Sequence, residues 1–212
     1  MLQIIKIKNG CNCYLIEHDN EGILIDTGLT KGSDEVLKAC KDKQIKLIIL
    51  THGHMDHIQC AKTIAEKLGA PIAMHEKDME MMDNNLSQPI HGRKMMGKGL
   101  AFFSTLGARF SKIEHFKVSE PVSGGKIIQE CGMKLEIVEL PGHTKGSIGI
   151  IIENHFFVGD ALMNMAGPEI SLLYENWDDL VKSAGKISDA GDLMIHFGHG
   201  DEVSNRQWIS SL

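Results

Sequence analysis

The chain predicts an α/β fold in which two β-sheets are packed between helices. Three observations lead there. Short strand-like runs of Ile, Val, Leu and Phe recur in both halves of the chain. Segments with helical spacing separate them. One run, "KLIIL" at 46–50, is apolar without alternation, as a strand covered on both faces must be.

The first half opens with strands at 4–8, 13–18 and 22–28, divided by turn residues. Residues 33–45 carry Val36, Leu37 and Cys40 at helical spacing, and Ser33 stands where an N-cap belongs. The strand 46–50 follows, then a helix over 58–68 closed by Gly69, then a strand at 71–75. Residues 76–112 interrupt this alternation. They are rich in Met, Lys, Gly and Asn and read as a short helix, a loop and a second helix. Strands return at 126–130, 133–140, 147–153 and 155–160; a helix at 176–188, a strand at 193–198 and a short last helix complete the chain. With no linker and no visible repeat, residues 1–212 read as a single domain.

Composition narrows the function. Of 212 residues, 42% are hydrophobic and 24% charged, which is ordinary globular usage. A formal charge of −6 argues against nucleic acid as the partner, because phosphate binding needs a basic face. No apolar run reaches the length of a membrane span. The start, "MLQIIKIKNG", shows no secretory segment, so the cytoplasm is the expected location. Cys11, Cys13, Cys40, Cys60 and Cys131 are odd in number and scattered, and read as reduced thiols. "CNC" at 11–13 has the form of a metal-binding pair, but no second pair accompanies it; two small strand residues are the plainer reading.

The chemistry is concentrated in "LIILTHGHMDHIQC", residues 47–60. His52, His54, Asp56 and His57 crowd the mouth of a buried strand, and four ionisable side chains in six positions do not pack as a core. Three further metal-capable residues stand at strand ends: His143 in "PGHTKGS", Asp160 in "FFVGDAL" and His199 in "HFGHGD". Imidazole and carboxylate suit zinc and other first-row divalent ions. Seven such ligands exceed one tetrahedral site and match two ions that share a carboxylate.

The motifs "THGHMDH", "PGHTKGS", "FVGDA" and "FGHGD", in this order, together with "ILIDTG", resemble the metallo-β-lactamase superfamily over nearly the whole chain. The resemblance implies an αββα sandwich with metal ions at one edge of its sheets. It implies that His52, His54 and His143 hold a first ion, that Asp56, His57 and His199 hold a second, and that Asp160 bridges them. It implies that Asp26 supports a histidine ligand through its other ring nitrogen. A turn role for Asp26, before Gly28, is the alternative.

Two divalent ions, zinc first and iron or manganese as alternatives, would generate a hydroxide nucleophile near neutral pH, with Asp56 as ligand and orienter. That chemistry suits esters, thioesters, lactones and phosphodiesters alike. The compact organisation looks most like the glyoxalase II-like branch, so the expected activity is hydrolysis of a small carboxylic thioester or ester. The prototype of that branch adds a helical domain with glutathione contacts, whereas this chain runs about a dozen residues past His199. The alternatives are a lactone hydrolase, a mononuclear iron persulfide dioxygenase of the same superfamily, and a non-catalytic scaffold. The last is disfavoured because no ligand is lost. In the 76–112 segment, His91, Arg93 and Lys94 are candidates to meet an anionic substrate end, and Met95, Met96, Phe102 and Phe103 to line an acyl pocket. Gly92, Gly97 and Gly99 offer flex points for such a cover. A solvated loop and ordinary helix packing are the plainer readings.

Overall fold

The computed structural model describes residues 2–209. Its first sheet begins as an antiparallel meander of Gln3–Asn9, Cys11–His18 and Glu21–Ile25. Parallel strands Gln44–Ile49, Ile72–Met74 and the short Glu120–Pro121 are added to Glu21–Ile25 in turn. The second sheet has the order Val203–Ser204, Met194–Phe197, His155–Gly159, Ile148–Ile152, Met133–Glu139, Ile127–Glu130. Its pairs are antiparallel except His155–Gly159 with Met194–Phe197.

Alternation along each strand sorts side chains into layers. Ile16, Ile23, Ile25, Leu47 and Ile49 face Leu135, Ile137, Ile148, Ile150 and Phe157 between the sheets. The intervening Leu15, Leu24, Ile48 and Leu50 face outward onto Val36, Cys40 and Ile64 of the helical segments. On the far side, Phe156, Val158, Ile195 and Phe197 pack on Leu180, Ala184 and Ile187 of the Trp177–Asp189 helix. The result is the expected αββα sandwich. Each fully buried Ile, Leu or Phe contributes roughly 1.5–3 kcal/mol, so three such layers supply the main stabilising force.

The sheets are stitched at one edge. Ile148 N donates to Thr51 O at 2.9 Å, and Tyr14 Oη donates to Phe197 O at 2.7 Å. That edge is where the chemistry-bearing loops leave their strands.

Several boundaries differ from expectation. The helix expected at 33–45 ends at Ala39, because Asp42 turns left-handed (φ 65°) and Gln44 already begins a strand. Lys43 and Lys46 pair with Glu17 and Glu21 of the neighbouring strands instead of decorating a helix. Ser33 is the first helical residue, and Gly32 holds the cap position without a side-chain bond. The helix expected at 58–68 is two pieces, Met55–Ile58 and Ala61–Leu68, broken near Cys60 and closed by Gly69 as expected. The strand expected to reach residue 28 ends at Ile25, because Asp26 has φ 59°. In the 76–112 segment the first helix is a 3-10 stretch, Glu76–Met82; a short strand, His91–Gly92, pairs with Leu173–Tyr174 before the Lys94–Phe110 helix. Gly97 is buried against the Leu172 carbonyl and is a packing residue, not a flex point. Among the described residues, no helix is long and apolar enough to cross a membrane.

Candidate metal centre

Four loops bring their side chains to the stitched edge. The strand Gln44–Ile49 runs into Thr51 and His52, and the one-turn helix Met55–Ile58 then presents Asp56 and His57. His143 lies in the turn between the Met133–Glu139 and Ile148–Ile152 strands, Asp160 just past His155–Gly159, and His199 just past Met194–Phe197.

The ligand atoms of His52, His54 and His143 lie within 4.8 Å of one another, as do those of Asp56, His57 and His199. Asp160 stands between the two sets. Its Oδ1 is 3.5 Å from His57 Nε2, and its Oδ2 is 3.6 Å from His143 Nε2 and 3.4 Å from His199 Nε2. Asp56 Oδ2 is 3.2 Å from His199 Nε2. All seven residues read from the sequence as ligands are therefore in one constellation.

The supporting hydrogen bonds set which nitrogen each ring offers. Asp26 accepts the Thr51 N–H (2.8 Å) and the Thr51 hydroxyl (2.8 Å), and its Oδ2 lies 2.8 Å from His57 Nδ1. With its proton committed to Asp26, Thr51 Oγ1 accepts from His52 Nδ1 at 3.1 Å. His143 Nδ1 donates to the Leu173 carbonyl at 2.9 Å. His52 and His143 thus present unprotonated Nε2 atoms to the centre, and His57, whose Nδ1 faces Asp26, presents its Nε2 there once deprotonated. His52 Nε2 is buried without a hydrogen-bond partner, and His57 Nε2 and Asp160 Oδ1 are buried with only each other in reach, 3.5 Å apart. Such atoms are costly unless a ligand takes them, and nitrogen and oxygen lone pairs aimed at one point fit a divalent cation. Asp26, at φ 59°, thus has its carboxylate against both the His57 ring and Thr51, as well as ending its strand.

The charge balance has the same sense. Burial lowers His52 and His143 below the ordinary imidazole range and pushes His54 down to about 3, so these rings are neutral. Asp160 raises His199 to about 10. For His57 burial works downward, yet Asp160, Asp26 and Asp56 together hold it well above its usual value. Burial likewise opposes ionisation of Asp56 and Asp160, but His57 and His199 keep both carboxylates ionised. Two carboxylates, Asp56 and Asp160, and two histidines, His57 and His199, thus favour one another's charged forms.

The sequence reading missed Asp78. It is fully buried, and its carboxylate accepts from Gly53 N (2.9 Å), Gly146 N (2.7 Å), Thr144 Oγ1 (2.6 Å) and Gln88 Nε2 (2.9 Å). It fastens the loop carrying His52 and His54 to the turn carrying His143. A Cβ at Gly146 would lie 2.7 Å from the Asp78 carboxylate, so this approach requires glycine. Nothing in "EKDMEMM" marks this aspartate among its charged neighbours. Gly198 is a second required glycine, because a Cβ there would meet His57 Cε1 at 2.8 Å and collide with Asp160 Oδ1.

The basic residues expected at the substrate are engaged elsewhere. The Arg93 guanidinium lies over the Trp177 ring, 4.3 Å from its centroid. Lys94 Nζ pairs with Glu169 at 2.6 Å, and the His91 ring lies 5.6 Å from that of Tyr174. None of the three lines the cavity over the centre. The short strand His91–Gly92 pairs with Leu173–Tyr174, which turns all three toward that neighbouring segment. Of the apolar candidates Phe103 lines the cavity, while Met95, Met96 and Phe102 do not. Cys11 and Cys13 are buried side by side in their strand, Sγ atoms 3.8 Å apart, as two small strand residues.

A strand-end cluster of five His and two Asp on an αββα sandwich defines a class, and comparison with known proteins gives it a name. The family model of the metallo-β-lactamase superfamily matches residues 8–199. The chain belongs to that superfamily. It is 30% identical over 208 residues to an uncharacterised protein of Mycobacterium tuberculosis, covering 92% of this chain and 88% of that one. It is 28% identical to the hydroxyacylglutathione hydrolase GloC of Haemophilus influenzae, covering 89% of this chain and 85% of that one. The crystal structure of the BLEG-1 B3 metallo-β-lactamase superposes with a TM-score of 0.75 at 19% identity, covering 99% of this chain and 97% of that one.

Proposed function

We propose that this protein is a dinuclear metal-dependent hydrolase of a small carboxylic thioester or ester. The observation that carries the reading is Asp160 lying between two complete three-residue sets, with one oxygen toward His57 and the other toward His143 and His199. His52, His54 and His143 would hold one divalent ion; Asp56, His57 and His199 the other; Asp160 would be shared. When bound, such a pair activates water near neutral pH and polarises the carbonyl.

The chain's own side chains do the rest. Asp26 and Thr51 hold His57 and His52 in the tautomers that face the centre. Asp56 borders the cavity, and its carboxylate orients the attacking water toward the substrate carbonyl. The thiolate or alkoxide leaves toward the open side of the cavity and is protonated from solvent. A carboxylic thioester is favoured over a phosphodiester because the GloC relative is named for hydrolysing one, and because among the described residues the cavity walls bring no Lys or Arg to a phosphate.

Elemental analysis of purified protein, with hydrolysis of a thioester, ester, lactone and phosphodiester panel, tests this. The expected result is two zinc or similar ions per chain and chelator-sensitive thioester or ester hydrolysis. One iron per chain with oxygen consumption on a persulfide would replace the reading with a dioxygenase.

A further inference from the structure

The Lys94–Phe110 helix is amphipathic in an inverted sense. It buries Gly97, Ala101 and Ala108 and exposes its large apolar residues, Met95 (91% exposed), Phe102, Phe103 and Phe110 (79%) among them. A surface helix ordinarily does the opposite. The small residues let the helix backbone approach its neighbours closely, as Gly97 does against Leu172. Large apolar side chains are thereby left available to something outside the fold.

One side of this helix forms a wall of the cavity above the metal centre. The cavity encloses about 380 Å³, within the range of small-molecule sites. Its floor is formed by His54, Asp56, His143, Asp160 and His199, and its walls include Ile90, Leu100, Phe103, Met163, Met165 and Leu173. Among the described residues, no Lys or Arg borders it. Its amide, Asn85, spends its N–H groups on the carbonyls of Ala108 (3.0 Å) and Ser111 (2.8 Å). Away from the floor, the polar side chains are Asn85 and Ser104, and a carboxylate placed there would lose hydration in exchange for a neutral hydroxyl contact and no charged partner among the described residues.

We infer that the substrate carries an uncharged aliphatic chain directly beside its scissile carboxyl, and that Leu100 and Phe103 form the wall that selects it. This rests on the hydrolase reading above and narrows its substrate class. A thiol bearing free carboxylates next to the sulfur is disfavoured by the same walls. The chain can belong to the acyl side or to the leaving group, since both extend from the same carbonyl.

Two substrate series separate those sources on the metal-loaded protein. One is acyl thioesters of the neutral thiol N-acetylcysteamine, from acetyl to decanoyl. The other is acetate thioesters of alkanethiols of increasing length. In at least one series, kcat/KM should rise about fourfold per methylene until the cavity is filled. A thioester of equal length ending in a carboxylate should be on the order of a hundredfold poorer. Leu100→Glu should lower the octanoyl-to-acetyl ratio of kcat/KM, or its alkanethiol equivalent, about tenfold or more. Phe103→Ala is the milder second variant and should lower it several-fold.

A readout independent of turnover is binding of the neutral fluorophore N-phenyl-1-naphthylamine to chelated protein. It should bind, be displaced by 1-octanol, and bind more weakly to Leu100→Glu. Hydrolysis that is indifferent to chain length in both series, or that prefers carboxylated chains, overturns the inference and leaves the hydrolase standing. If no thioester or ester is turned over but fluorophore binding still depends on Leu100, the hydrolase reading falls and the apolar site stands. A fluorophore unaffected by Leu100→Glu and Phe103→Ala overturns the site.

Discussion

The Asp78 carboxylate lies 2.6 Å from Thr144 Oγ1, joining the 76–112 segment to the turn that carries His143. The same carboxylate accepts from the backbone of Gly53, between His52 and His54. Three parts of the chain distant in sequence are thus held by one buried acid. Asp78→Ala would strand buried donors at Gly53 and Gly146, each costing about 1–3 kcal/mol. The expected outcome is a fall in unfolding free energy of about 3 kcal/mol in urea titration, together with weaker metal binding. Wild-type stability would mean that water or another acceptor satisfies those donors.

Asp26 acts on the centre through His57. Asp26→Asn keeps the shape but can offer an N–H where His57 Nδ1 must donate. On the proposed metal-centre reading, the expected loss is about 10–100-fold in affinity for the ion that His57 would hold, read by competition with a chromophoric chelator. Unchanged affinity for both would leave Asp26 only its bonds to Thr51.

Asp56→Asn should retain most of the fold, since Asp56 borders the cavity outside the packed core. Hydrolysis should fall to a small residue, because a neutral amide is a poorer ligand and orients water poorly. Near-normal turnover with both ions bound would show that water is positioned by another group.

Proton release on loading follows from the charge balance. His199, raised to about 10 by Asp160, and His57, held high by the surrounding carboxylates, both carry protons at neutral pH in the metal-free protein. A cation must displace them, so affinity rises with pH and binding liberates protons. Calorimetry at pH 7 in buffers of different ionisation enthalpy should show roughly one to two protons released per loaded centre. A binding enthalpy independent of buffer would contradict the assigned protonation.

Arg93→Ala with Lys94→Ala removes the contact over Trp177 and the pair with Glu169. The expected cost is about 0.5–1 kcal/mol of stability, with anionic and neutral substrates affected alike. A rise in KM confined to anionic substrates would return these cations to the substrate.

The sandwich and the cluster of metal-capable side chains were both legible in local sequence pattern. Strand alternation separates Leu15 from Ile16 and Phe156 from Phe157 onto opposite faces, and that pattern is local. "HGHMDH" is legible for the same reason: its residues are neighbours, and ordinary packing does not call for them. His143, Asp160 and His199 were legible because each closes a strand at a glycine-containing turn. How the cluster is held, and what covers it, emerges only from contacts between distant parts of the chain. Asp78 reaches donors at Gly53, Gln88, Thr144 and Gly146, and the Leu173 carbonyl orients a histidine thirty residues earlier in the chain. A hydrogen bond between distant residues leaves no periodic trace in sequence. The inversion of the Lys94–Phe110 helix was hidden too: periodicity marks which residues share a face, but which face meets the rest of the protein depends on backbone approach, here set by Gly97 and Ala101.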